Sequence, residues 1–195
     1  MNTVNIRIET SSGVISAELY PDAAPITVAN FLHYVDTGAY DGGRFHRVVR
    51  LDNQSNTNLK VEMADGGMDA SIAAPLPNDA IAIEVIQGGL DPAKNALQGA
   101  AIPLERTSQT GLAHKDGTLS MARRTVESAI TEFFICINDQ PSLDFGGQRN
   151  LDGQGFAAFG RVTSGMDVVR AIQRSPSDGQ TLDPLIPITS ITRVD

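Results

Sequence analysis

The sequence predicts a mainly β protein: a closed barrel with two helices covering its ends. Three observations carry this. Short segments in which apolar and polar residues alternate recur along the chain. Glycines and prolines, 18 and 10 of them, lie scattered between those segments with no fixed period, as turn residues do. Only two stretches space their apolar residues as a helix does, which leaves two isolated helices among many strands. Closing the sheet on itself removes its exposed edges, and the first and last strands are placed to pair.

The elements follow in order. Val4, Ile6 and Ile8 alternate with polar residues as in a half-buried strand, Ser11-Ser12-Gly13 makes a turn, and residues 14–20 return as a second strand. Two prolines, Pro21 and Pro25, break the pattern, and Pro25 suits the first turn of a helix, where its missing N–H does no harm. Val28, Phe31, Leu32 and Val35 then fall on one helical face, with Gly38 as the stop and His33 projecting to the surface. Strands are expected over residues 43–49, 82–86, 118–122, 132–137 and 157–162. Ser164 is expected to cap a short helix carrying Met166, Val169 and Ile172. Residues 187–194 form the closing strand.

Composition bounds the function. The 195 residues suit a single domain, 1–195, and 41% hydrophobic with 19% charged residues is a soluble globular balance. A net charge of −8 argues against nucleic acid as a partner, and no apolar run approaches the ~20 residues of a membrane span. Cys136, the sole cysteine, excludes an internal disulfide; in Phe133-Phe134-Ile135-Cys136-Ile137 it reads as a small core residue rather than a nucleophile. The N-terminus shows no signal-peptide pattern, which points to the cytoplasm, or to the periplasm if a leader has been removed.

Familiar catalytic signatures are missing. His33, His46 and His114 are too few and too dispersed for a zinc site, and there is no phosphate-binding or dinucleotide-binding glycine loop. Ser120 lies outside any nucleophile elbow, although a triad is recognised by geometry rather than spacing. No cofactor or metal is therefore expected. Arg47 carries more information. It sits between the apolar Val48-Val49 and a polar loop from Asp52 to Asn58, which places a planar, always-charged donor at the rim of a groove. Such a donor suits hydrogen bonding to an amide; the alternative is an ordinary arginine lying over a barrel edge.

Several segments, in order, resemble the cyclophilin family of peptidyl-prolyl cis-trans isomerases. They are Phe45-His46-Arg47-Val48-Val49, Gln87-Gly88-Gly89, Gly117-Thr118-Leu119-Ser120-Met121-Ala122, Phe133-Phe134-Ile135-Cys136, Leu143-Asp144 and Phe159-Gly160-Arg161-Val162. The likeness runs from about Val4 to Thr192, and its style looks like the family's bacterial branch. The resemblance implies an eight-stranded antiparallel barrel with two α-helices, acting as a monomer on proline-containing polypeptides that lie in an outer groove. It implies Arg47 as the catalytic residue, with His46 and Gln87 beside it, Val85 and Phe134 in the proline pocket and Leu143 at its rim. Ala122 and Arg123 match positions whose backbone holds the peptide. The reaction implied is rotation of X–Pro amide bonds in assistance of protein folding.

The chain also departs from the family pattern. Glu84 falls where a phenylalanine usually floors the pocket, and Val85 replaces a methionine. Glu132 replaces a glutamine, Ser142 a tryptophan and Phe156 a histidine. Glu84 is counted with the substrate-binding positions but spoils the pocket unless it points outward; Phe156 can fill the space instead. Glu132 is expected to meet Arg47 in a bidentate pair that either orients the guanidinium or neutralises it. Ser142 lacks a large aromatic contact, which implies weak cyclosporin binding. The stretch at about 51–83 is longer than the family's usual spacing. Within it Leu59 to Gly67 is echoed 22 residues later by Ile81 to Gly89, and it reads either as an extra hairpin beside the groove or as a tolerated surface insertion. These departures leave a second reading: a catalytically weak or inactive module of the same fold that binds peptides or proteins.

Overall fold

Period-two alternation sets the architecture. The computed structural model describes residues 2–54 and 81–194, so most of the stretch at 51–83, including the first copy of the echo, lies outside the described residues. In β1 (Val4–Thr10) Ile6 and Ile8 are fully buried, and in β2 (Gly13–Leu19) Ile15 and Leu19 are, so the hairpin pairs two inward faces in register from Val4↔Leu19 to Thr10↔Gly13. Helix α1 (Pro25–Asp36) starts on its proline and buries Val28, Phe31, Leu32 and Val35 as the spacing predicts, with Thr27 and Tyr34 beside them; His33 is exposed. The remaining elements are β3 (Arg44–Val49), β4 (Val85–Gly89), the one-turn helix α2 (Thr107–Thr110), β5 (Thr118–Met121), β6 (Phe133–Cys136), β7 (Ala157–Ser164), α3 (Met166–Gln173), β8 (Ser177–Asp178) and β9 (Thr181–Val194).

The strands run in the order β1-β2-β7-β5-β6-β4-β3-β9-β8, every pairing is antiparallel, and β1 also pairs β9. With the two-residue β8 only flanking β9, the other eight strands close into a barrel, as expected. Helix α1 packs on β9 and β7, and α3 on β2, β4 and β3. The interior is aromatic where α1 enters it: the Phe31 ring meets Phe159 at 5.0 Å and Phe133 at 5.4 Å, edge-on to the latter.

Beyond shifts of one or two residues at strand ends, three features differ from the sequence reading. β4 lies at 85–89 rather than 82–86, because Gly88 and Gly89 are strand residues and not a turn. A Cβ at Gly88 would come within 2.8 Å of the Arg44 carbonyl oxygen, so glycine there permits close strand approach. Ser164 does not cap α3. It ends β7, and Gly165, in the left-handed region at φ 91°, makes the turn into the helix. The closing strand begins at Thr181 rather than at residue 187 and runs through Pro184.

β6 is apolar on both faces. Phe133 and Ile135 point into the barrel, while Phe134 and Cys136 join Val49, Ile83, Val85, Leu143 and Phe156 in a second apolar cluster. This cluster underlies the site. Burial pushes the Cys136 thiol well above its ordinary range, so it is a core residue as expected and not a reactive one.

Candidate active site

A β-bulge builds the site's polar wall. Against β4 the register slips between Phe45 and Arg47, leaving His46 as the extra residue, and at the same place the pairing with β9 jumps from Ile186 to Thr181. Consecutive residues of a regular strand point to opposite faces. Here the bulge re-aims one of them, and His46 and Arg47 both line a single cavity of about 660 Å³. On β4 and the extended residues leading into it, Ile83, Val85 and Gln87 share the period-two face turned toward that cavity. Ala122, Arg123, Glu132, Phe134, Leu143 and Phe156 complete the group read from the sequence.

Glu84 is the exception. It belongs to the other face and does not line the cavity; its Oε2 accepts from Asn138 Nδ2 at 2.9 Å and its backbone oxygen from the Ile137 N–H at 2.9 Å. The pocket therefore escapes the carboxylate that the sequence set against it. Ile83, one residue earlier, presents a buried aliphatic side chain to the cavity instead. Phe156 packs edge-on against Phe134, with ring centres 5.5 Å apart, so the apolar part is Ile83, Val85, Phe134, Leu143 and Phe156.

Arg47 is held from two sides. Its Nε and Nη2 donate to Gln180 Oε1 at 2.9 and 2.7 Å, and its Nη1 donates to Gln87 Oε1 at 3.0 Å. Gln87 in turn donates from Nε2 to Glu132 Oε2 at 3.0 Å, and His46 Nε2 lies 2.7 Å from the same oxygen. The expected bidentate pair between Glu132 and Arg47 is not formed: the carboxylate reaches the guanidinium only through Gln87, because His46 and Gln87 occupy its near side.

Arg123 acts through its side chain. The guanidinium is fully buried and makes a bidentate pair with Asp152 at 2.8 and 2.9 Å. It also donates from Nε to the Gly155 carbonyl at 2.8 Å and lies 5.1 Å from the centre of the Phe156 ring. These hydrogen bonds hold the Asp152 carboxyl below its ordinary 3.8. The Ala122 N–H is bonded to the Glu132 carbonyl at 2.9 Å. Ser142 is not among the lining residues.

Behind Phe134 lies a second polar chain. Asp144 Oδ1 is 2.7 Å from His114 Nδ1, and His114 Nε2 is 2.9 Å from Ser120 Oγ. The order is that of a hydrolytic triad, but Ser120 and His114 are sealed in the interior at 0% and 1% exposure, so no substrate reaches the hydroxyl. The imidazole instead lies parallel to the Phe134 ring at 6.1 Å and backs the pocket wall. Burial works to raise the Asp144 carboxyl, and the hydrogen bonds from the His114 side chain and backbone outweigh it, leaving a net value below 3.8.

Sequence reasoning missed Gln180, Ile83, Arg149 and Asn150, as well as the far end of the cavity at Gln98, Ser128, Ile130 and Thr131. Alternation through Val85 and Gln87 could have found Ile83. Nothing local marks Gln180: the β8–β9 hairpin brings it back beside β3, where the Val48 N–H bonds its carbonyl at 2.8 Å. Among the described residues no cluster of histidine, cysteine or carboxylate side chains could hold a metal ion, and no helix is long and apolar enough to cross a membrane.

Comparison with known proteins agrees with this geometry. The model of the "Cyclophilin type peptidyl-prolyl cis-trans isomerase/CLD" family matches residues 5–193. A peptidyl-prolyl cis-trans isomerase of Acinetobacter baylyi is 31% identical over 183 residues, covering 93% of this chain and 78% of the relative. Peptidyl-prolyl cis-trans isomerase B of Escherichia coli is 31% identical over 169 residues, covering 86% of this chain and 83% of the relative. A crystal structure of a Cryptosporidium parvum cyclophilin-type isomerase, described as in the presence of the dipeptide Ala-Pro, superposes with a TM-score of 0.69 at 21% identity, covering 98% of this chain and 99% of that one. The chain belongs to the cyclophilin family of peptidyl-prolyl cis-trans isomerases.

Proposed function

We propose that the protein rotates X–Pro amide bonds in unfolded or flexible polypeptides, and so assists folding, with Arg47 stabilising the twisted transition state. Rotation about an amide C–N bond costs about 18–20 kcal/mol because it breaks resonance. At the twisted geometry the prolyl nitrogen becomes pyramidal and regains a lone pair. A hydrogen bond from Arg47 to that nitrogen exists in full only at the twist, so it lowers the barrier instead of merely tightening binding. The apolar cup of Ile83, Val85, Phe134, Leu143 and Phe156 grips the proline ring while the chain on its other side turns. His46, Gln87, Arg123 and Glu132, with the backbone at Ala122, form the remainder of the peptide's bed. The bond is only rotated, so the step needs no nucleophile, proton donor or electron carrier.

The observation that carries this reading is the convergence of the Arg47 guanidinium and the apolar cup in one cavity. The test is a prolyl-peptide isomerisation assay on parent and R47A. The parent accelerates exchange, and R47A loses about 10²–10³ of the rate, the usual effect of removing a donor aimed at a transition state. Equal rates for the two would favour a peptide-binding module without catalysis. The protein works as a monomer on this reading. With Ser142 away from the cavity it binds cyclosporin weakly, and a sub-micromolar affinity by calorimetry would contradict that.

A further inference from the structure

Glu132 carries the one carboxylate among the described residues lining the cavity, and it stands one residue away from the guanidinium proposed to do the chemistry. We propose that Glu132 is a positioning residue, which fixes the orientation of the Gln87 amide and through it the Nη1 edge of Arg47. The inference rests on the proposed isomerase reading and adds to it the device that aims the donor.

Hydrogen-bond polarity sets the direction. A glutamine amide has one accepting end and one donating end, and in isolation it can sit either way round. Here its two neighbours remove the choice. An ionised carboxylate only accepts and a guanidinium only donates, so Gln87 satisfies both in a single orientation, with Nε2 toward Glu132 and Oε1 toward Arg47. The same logic fixes His46, whose Nε2 must carry a hydrogen toward Glu132. On the far side Gln180 is also fixed, because its Nε2 donates to the Asn53 carbonyl at 3.3 Å and its Oε1 turns to Arg47. Arg47 is thus bracketed by two amide oxygens. A glutamine at 132, the family's usual residue on the sequence reading, satisfies Gln87 in the same direction when its oxygen faces Nε2.

β4 makes room for the carboxylate. Gly89 lies beneath it, and a Cβ built there would overlap Glu132 Oε1. Substituting this glycine therefore displaces the carboxylate without deleting it. The flexible end of Glu132 yields, and Gly89 does not occupy the left-handed region, so the backbone tolerates alanine.

The test compares E132L, E132Q, Q87L, the double variant E132L/Q87L, G89A and R47A, each checked for a native thermal transition. E132L, Q87L and G89A are expected to lower kcat about tenfold with little change in KM, in line with losing one charge-assisted hydrogen bond on the donor. E132Q, whose amide oxygen still accepts, keeps kcat within about threefold of the parent. In the Q87L background E132L adds nothing, because the link is already cut. The Arg47 Nη1 resonance, identified by its loss in R47A, shifts in E132L and Q87L but not in E132Q. If E132L does not fold, Q87L and G89A carry the same comparison. Unchanged kcat in E132L or G89A beside an inactive R47A would overturn the inference and leave the isomerase reading intact. So would additive losses in the double variant, or an E132Q faster than the parent. An R47A as active as the parent would instead sink the isomerase reading, and the resonance shifts would still decide whether Glu132 sets Arg47.

Discussion

Removing the Asp152 carboxylate tests whether the pocket's aromatic wall depends on a buried ion pair. The Arg123 side chain is fully buried and that of Asp152 is 33% exposed, with two parallel hydrogen bonds between them. Breaking a fully buried pair by deleting one partner costs about 3–5 kcal/mol, because the remaining charge is stranded. Two features reduce that here. Asp152 is partly in water, and the stranded guanidinium keeps the Gly155 carbonyl and the face of Phe156. We therefore expect D152A to cost about 2 kcal/mol, which for a domain of this size lowers Tm by about 4–8 °C. The sign of the pH dependence follows from the depressed carboxyl. Its native value lies below the ordinary 3.8, so the stabilisation is fully present above about pH 4 and disappears as pH falls through the native value. Parent and D152A should differ most near neutrality and converge in acid. Since Arg123 also steadies Phe156, KM for a prolyl peptide should rise severalfold with kcat less affected. Thermal melts across pH, followed by steady-state kinetics, make the comparison. A Tm within 1 °C of the parent at neutral pH, or a gap that persists undiminished into acid, would refute the reasoning.

Two further substitutions separate wall from site. H114L removes the ring that backs Phe134 and strands the buried Ser120 hydroxyl, while Asp144 keeps the backbone N–H of residue 114; at about 1–3 kcal/mol for a buried unpaired group, denaturant titration should show a loss of at least about 1 kcal/mol, and an unchanged midpoint would count against a structural role. E84A, outside the cavity and bonded to Asn138, should leave kcat/KM within twofold of the parent, and a tenfold change would mean that the carboxylate reaches the peptide after all.

Much of this was legible in the chain, for reasons that differ by element. α1 showed because proline, an apolar face and a terminal glycine agree over twelve residues. β6 showed because four consecutive buried residues leave a continuous apolar run, and the alternate pointing of Phe133 and Phe134 follows from strand geometry alone. The bulge at His46 left no trace, since a register slip is decided between strands and not within one. Gly88 and Gly89 misled for a related reason. Glycine that lets two backbones approach looks, in sequence, like glycine that turns a chain. Glu84 was assigned to the pocket by counting positions against a family pattern, and counting carries no information about which face a residue presents. Ser164 looks like a cap by a local rule that the strand pairing of β7 overrides, and the start of β9 at Thr181 is set by pairing with β3 and β8 rather than by local pattern.

The site is assembled from two groups that share no residue. Arg47 is set by Gln180, Gln87 and Glu132, which hang on β3, β4, β6 and the turn before β9. Phe156 is set by Arg123, Asp152 and Gly155, which belong to the loops flanking β5 and β7. Perturbations with no shared partner add in free energy. The proposed donor and the proposed cup can therefore vary separately. This explains how a chain can lose the pocket-floor phenylalanine, the histidine and the tryptophan of its family's pattern and still present an arginine at the edge of an apolar cup. Ile83 and Phe156 supply apolar lining on the one side, while on the other Arg47 keeps its amide partners and Gln87 its bond to Glu132.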